Sequence, residues 1–121
     1  MTTEESKRLM TRSLLDVFNQ RDPKQRAAAI AEVYSPDIVF YEGHGTTRGP
    51  EALVDRVQQL LDGVPGFTFQ PVGEPAINHD MGRQPWTLGP PDGPPVVFGT
   101  DIVRIRDNHI GALYVFVEPP S

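Results

Sequence analysis

The chain has 121 residues, of which 38% are hydrophobic and 22% charged, with a formal net charge of −5. That is enough chain for one domain with a real core and too little for two, and it fits neither a disordered nor a membrane-embedded protein. The lack of cysteine excludes disulfides, thiolate metal sites and cysteine nucleophiles, and the 11 dispersed Lys and Arg against 16 acids argue against a nucleic-acid partner.

Leu9, Met10, Leu14, Leu15, Val17 and Phe18 recur at helical spacing and predict an amphipathic helix over residues 4–19. The acidic opening Met1–Ser6 has no apolar stretch of the kind that directs secretion, so a cytoplasmic location is expected. Asp22 with Pro23 behind it predicts the start of a second helix, which runs through Ala27–Tyr34 until Ser35-Pro36 stops it. Asp37–Glu42 reads as a strand and Gly43–Gly49 as a loop. Pro50 then opens a third helix, whose Leu53, Val54, Val57, Leu60 and Leu61 form one stripe before Gly63 ends it. Short strands follow near 67–73, 83–89, 95–106 and 110–118, with Pro90–Pro95 as a rigid turn and Asp107-Asn108 as the last hairpin. Helices first and a meander after them predict an α+β fold.

Two of these strands depart from simple alternation. Ile110–Val117 is apolar on both parities, so both of its faces need cover. The helices cover one. A second copy of the chain is the simplest cover for the face with Tyr114 and Phe116, the alternative being the chain's own loops. In 95–106 the residues Val97, Gly99, Asp101, Val103 and Ile105 share one face while Arg104 and Arg106 project from the other, so Asp101 faces the core. Burial raises a carboxyl pKa unless something pairs with it, and such groups gather at functional sites. Gly99, one pleat away, is expected to leave a gap that a ligand fills. The plain alternative is a buried Asp satisfied by a local hydrogen bond or salt bridge.

The strings Val33–Asp37, Gly43–Leu53 and Gly99–Asp107 resemble the nuclear transport factor 2-like superfamily, in particular its SnoaL-like and ketosteroid isomerase-like branches, over nearly the whole chain. The resemblance implies one domain spanning residues 1–121. It would be a cone-shaped, curved, mixed or antiparallel sheet packed against three helices of the N-terminal half, enclosing an apolar pocket and pairing as a homodimer through its outer face. It also implies that Asp101 stands where the isomerases hold a protonated oxyanion donor and the cyclases their acid/base Asp. Glu42 stands near the isomerases' general base, which is Asp in that family. Ser13 stands in place of the helix-one Tyr, Val57 replaces the supporting Tyr of the third helix, and Val115 occupies the second Asp position of the epoxide hydrolase branch, which excludes that chemistry.

The pairing of two acids has a physical logic of its own. A carboxyl group in a dry site stays neutral and donates, while one in a wetter site ionises and accepts. Glu42 shares its strand face with Phe40 and Ile38, which places it toward the same interior. Trp86, resembling a pocket aromatic of these proteins, and Leu88 are expected to line the pocket, with Leu113, Val115 and Val117 forming the wall near Asp101 and His44 at the mouth. Glu42, His44 and His79 match no recognised metal-ligand spacing, so neither metal nor cofactor is expected. His109 reads as a turn residue, and Arg48 as a solvated cation or an anion contact before Pro50. The expectation is a cofactor-independent acid/base enzyme, an isomerase or polyketide-type cyclase, acting on a small apolar cyclic carbonyl compound, with Asp101 as acid and Glu42 as base. The alternative is a non-catalytic small-molecule-binding or dimerising module of the same fold.

Overall fold

The computed structural model describes residues 1–118. Thr2 and Glu5 form a reciprocal capping box that opens α1 (Thr3–Arg12). The predicted helix then continues as a six-residue π-helical segment, Ser13–Phe18, in which Ser13, Leu14, Val17 and Phe18 are all buried. The wider turn, closed by the Asn19 N–H on the Leu14 carbonyl, places these side chains toward the sheet. Helix α2 (Pro23–Val33) starts at Asp22 as expected.

It ends earlier than expected, because Tyr34 is already extended and begins β1 (Tyr34–Glu42). The residue before a proline is pushed away from helical geometry, and here Ser35 carries Tyr34 with it into the strand. The predicted loop 43–49 also contains β2 (Gly45–Arg48), which pairs antiparallel with β1 across the Gly43-His44 turn. This strand has no apolar alternation to announce it. Helix α3 (Pro50–Asp62) matches its predicted bounds. Four predicted strands become β3 (Thr68–Pro71), β5 (Met81–Gly89), β6 (Val97–Arg106) and β7 (His109–Val117), and a three-residue strand, β4 (Ala76–Asn78), had no sequence signal. Asp107 and Asn108 both take positive φ, 52° and 64°, as a tight hairpin turn requires.

The strands form one mixed, curved, unclosed sheet in the order β2-β1-β7-β6-β5-β3, with β4 pairing β5. β1 runs parallel to β7, and the remaining pairs are antiparallel. Register shifts in β1 and between Arg104 and Ile105 bend the sheet around the helices. α1 sits close on β5 because Gly82 has no side chain: a Cβ there would fall 2.2 Å from the Met10 sulfur. The fully buried Arg26 ties α2 to α3, donating to the Gln20 and Val54 carbonyls and to Gln58 Oε1 at 2.8, 3.1 and 3.0 Å. Burial lowers its pKa, yet three acceptors satisfy the guanidinium with no direct counter-ion among the described residues.

On the convex side, Tyr114 is 36% and Phe116 62% exposed, so no loop among the described residues covers that face. No helix among those residues is long and apolar enough to cross a membrane.

Candidate active site

Between the concave sheet face and the helices lies a cavity of about 200 Å³. The π-helical segment supplies Leu14 and Phe18 to its wall, and α3 supplies Leu60 and Leu61. Edge-to-face pairs Phe18–Phe40, Phe18–Phe69 and Phe69–Trp86, with centroids 5.6, 5.9 and 5.1 Å apart, make one side a continuous aromatic surface. Two side chains on the lining carry charge-bearing groups, Asp101 and Glu42.

Asp101 is 7% exposed and takes one hydrogen bond, from the Trp86 indole N–H to Oδ1 at 2.9 Å. An indole nitrogen only donates, so Oδ1 must remain an acceptor. A proton on this carboxyl group therefore resides on Oδ2, which has no other partner among the described residues. Burial pushes the Asp101 pKa up to about 7, and the Trp86 bond opposes that rise. The expected gap at Gly99 is not open. Gly99 and Trp86 are direct cross-strand neighbours, and a Cβ at position 99 would meet Trp86 Cζ2 at 2.3 Å. The missing side chain makes room for the indole that holds Asp101, rather than for a ligand.

Glu42 follows the Tyr41–Tyr114 pair and so lies beside Val115, which is in turn opposite Asp101. The two carboxyl groups thus stand on one row of the sheet with Val115 between them, their backbones about 10 Å apart at two strand spacings. Arg56 of α3 grips Glu42 with two parallel hydrogen bonds, Nε to Oε1 at 2.7 Å and Nη2 to Oε2 at 2.8 Å. Its remaining Nη1 donates to Gln59 Oε1 at 3.0 Å, and the bond to Glu42 raises the Arg56 pKa. Glu42 therefore has a counter-ion, and Asp101 has none among the described residues. Arg56 was missed because the helix pattern assigns charged positions to solvent. The one available signal was its spacing, three after Leu53 and four before Leu60, on the border of the apolar stripe.

Of the other expected residues, Phe40, Trp86, Leu88, Val115 and Val117 line the cavity with the two acids. Four do not. Val57 and Leu113 are fully buried in the solid core, Leu113 between Phe40 and Val103 in the sheet. His44 lies in the β1–β2 turn with its side chain 77% exposed, its Nε2 4.0 Å from Glu42 Oε2. Ser13 is buried, and its hydroxyl is hydrogen-bonded to the hydroxyl of Tyr34 outside the cavity lining. Tyr34 thus places a phenol hydroxyl from β1 against Ser13 of the π-helical segment. Burial raises its pKa, and the neighbouring Asp101 adds to the rise. It escaped notice because it reads as the last residue of a helix. Among the described residues no group of three His, Cys, Asp or Glu could hold a metal ion.

The sequence matches the SnoaL-like domain over residues 11–112. The chain belongs to the SnoaL-like family. Its architecture is that of the nuclear transport factor 2-like superfamily. A structure described as a candidate isomerase of the SnoaL-like family, from Agrobacterium tumefaciens strain C58, is 19% identical and superposes with a TM-score of 0.88 over 97% of this chain and 100% of its own. A candidate SnoaL-like polyketide cyclase from Jannaschia sp. CCS1 is 14% identical, with a TM-score of 0.78 over 95% and 86%. A candidate ketosteroid isomerase from Kribbella flavida is 17% identical, with a TM-score of 0.73 over 98% and 84%. Identities this low establish the fold alone. No curated protein matches the sequence. On this shared fold the SnoaL-like chain carries one carboxyl group beside an indole and another beside a guanidinium.

Proposed function

We propose that this SnoaL-like chain is a cofactor-independent proton-transfer enzyme, an isomerase or polyketide-type cyclase, acting on a small apolar cyclic carbonyl compound. The observation that carries the reading is Asp101: a buried carboxyl group without a counter-ion, fixed at Oδ1 by Trp86 and free at Oδ2 beside an apolar cavity. The Oδ2–H donates to the substrate carbonyl oxygen. Glu42 takes a proton from the carbon next to that carbonyl, the C–H electron pair becomes the C=C bond of an enol, and the oxygen receives the Asp101 proton. In a β,γ-unsaturated ketone the resulting dienol takes the proton from Glu42 at its γ-carbon while its O–H proton returns to Asp101, which completes an isomerisation. In a cyclisation the enol carbon attacks a second carbonyl, whose oxygen takes the proton from Glu42 as the enol O–H proton returns to Asp101.

Asp101→Asn keeps the size and the acceptor for Trp86 but cannot give up a proton. It is expected to slow exchange of ketone α-protons with deuterated water by about 10²–10⁴-fold, followed by NMR. Unchanged exchange sinks the reading. The commitment of both Glu42 oxygens to Arg56 favours a second reading, a binding module that moves no protons. Under it, no bound ketone exchanges, and Asp101→Asn leaves affinity intact.

We propose in addition that the convex face pairs two copies of the chain. Tyr114, stacked on Tyr41 at 4.4 Å, forms with the exposed Phe116 and Phe98 an apolar patch. The patch is bordered by the ion pairs Arg104–Asp80 and Arg106–Asp37. A border carrying both signs is complementary to itself under a two-fold axis. Phe116→Asp is expected to convert a dimer to a monomer in analytical ultracentrifugation, and a monomeric wild-type protein at micromolar concentration overturns the proposal.

A further inference from the structure

The cavity limits the size and charge of whatever reaches Asp101. An apolar cavity of about 150 Å³ accommodates benzene, so the 200 Å³ found here corresponds to about eight non-hydrogen atoms, one ring with a substituent or two. Away from the open end, where Val117 is 58% exposed, the walls have little room to retreat. Trp86 is wedged over Gly99, Phe69 packs edge-to-face on it, and Phe18 closes the row against Phe40. The polar lining is equally restrictive. Trp86 spends its only donor on Asp101, and every side-chain nitrogen of Arg56 is engaged by Glu42 or Gln59. An anionic substrate would thus meet two carboxyl groups and no free cation, at the cost of burying an unpaired charge.

We infer that the cavity selects neutral one-ring ketones and excludes both fused polycyclic ketones and one-ring carboxylates. The ketone part of this inference rests on the acid/base reading above; the size and charge limits rest on the cavity wall.

Trp86 is the chain's single tryptophan and lines the cavity, so its fluorescence reports occupancy without a label. The test titrates the full chain with cyclohexenone, a methyl-substituted cyclohexenone, a fused two-ring decalone, a four-ring steroid ketone and cyclohexanecarboxylate. The one-ring ketones are expected to saturate, with the decalone, the steroid and the carboxylate binding about tenfold more weakly or worse. Leu60→Ala trims a half-buried wall residue with little risk to folding, and is expected to narrow the gap between decalone and cyclohexenone. Equal or tighter binding of the steroid, or a gap that Leu60→Ala leaves unmoved, overturns the size limit. Tight binding of the carboxylate overturns the charge limit. Exchange of α-protons in the bound one-ring ketone is read separately. Size-selective binding without exchange sinks the acid/base reading and keeps the size inference, whereas exchange with indifference to ring number does the reverse. Failure of every ketone to bind overturns both.

Discussion

Two walls of one cavity carry the same functional group in opposite surroundings. On the β5–β6 wall, Asp101 has an indole N–H, apolar neighbours and no cation. On the β1–α3 wall, Glu42 is gripped at both oxygens by Arg56 and lies near the solvent-facing turn of His44. The sheet treats them alike, since both project inward from one row. The difference is made by what crosses from the neighbouring element: a β5 side chain that can only donate weakly, or an α3 side chain that brings a full positive charge. Equivalent backbone positions thus give one carboxyl group a raised pKa and the other a counter-ion, through their cross-strand and helix partners.

The largest test of this contrast is catalytic. If Asp101 acts as a protonated donor, proton exchange in the wild type falls as pH rises through about 7, while the remaining slow exchange of Asp101→Asn, expected at about 10²–10⁴-fold lower, lacks that limb. A wild-type profile that instead rises through neutrality would assign Asp101 the role of base and invert the comparison.

The second test is thermodynamic. The folded-state pKa of Asp101, about 7, lies above the ordinary Asp value of about 3.9, so the folded chain holds this proton more tightly than the unfolded one. The resulting stability is fully present below about pH 4 and is lost as pH rises to about 7. Three units correspond to a loss on the order of 4 kcal/mol, as an upper figure. Denaturant unfolding at the two ends of this window measures it, and Asp101→Asn is expected to remove most of that pH dependence. Equal slopes for the two proteins would mean that Asp101 is not held neutral.

These contrasts were only partly legible in the sequence. The inward face of Asp101 was readable because Arg104 and Arg106 mark the outer parity of β6 and leave Asp101 on the face of Val97, Val103 and Ile105. The α3 stripe was readable because Leu53, Val57, Leu60 and Leu61 are unbroken by a helix breaker. What occupies the space beside Gly99 was not readable, since alternation gives a face and not a register. Only the pairing of Trp86 with Gly99 turns an apparent ligand gap into an indole seat. Arg56 and Tyr34 were hidden for a related reason. Each acts on a residue of another element, Glu42 or Ser13, and no local period encodes such a meeting. Val57 and Leu113 share parity or stripe with true lining residues but lie deeper than the cavity.

A smaller effect tests the mouth. Arg56→Met leaves Glu42, whose side chain is 10% exposed, without its counter-ion. Because the pair retains some solvent access, the expected loss is about 1–2 kcal/mol, below that of a fully buried pair. The double variant with Glu42→Gln is expected to recover part of the loss, and a double-mutant cycle reads the coupling. Additive losses would show that Arg56 contributes packing rather than charge.

The smallest expected effect is also the sharpest in sign. Trp86→Phe keeps an aromatic body over Gly99 and removes the only hydrogen bond to the Asp101 carboxyl group among the described residues. That bond favours the ionised carboxylate and opposes the effect of burial. Its loss therefore moves the Asp101 pKa upward, and the fall in proton exchange with it to higher pH. Loosening of the wall would act in the other direction, because entering water would bring the carboxyl group back toward its ordinary value. The pH at which exchange falls in Trp86→Phe thus separates a residue that orients and tunes the acid from one that merely fills space: an upward move supports the indole's hold on Oδ1, and a downward move assigns Trp86 to packing.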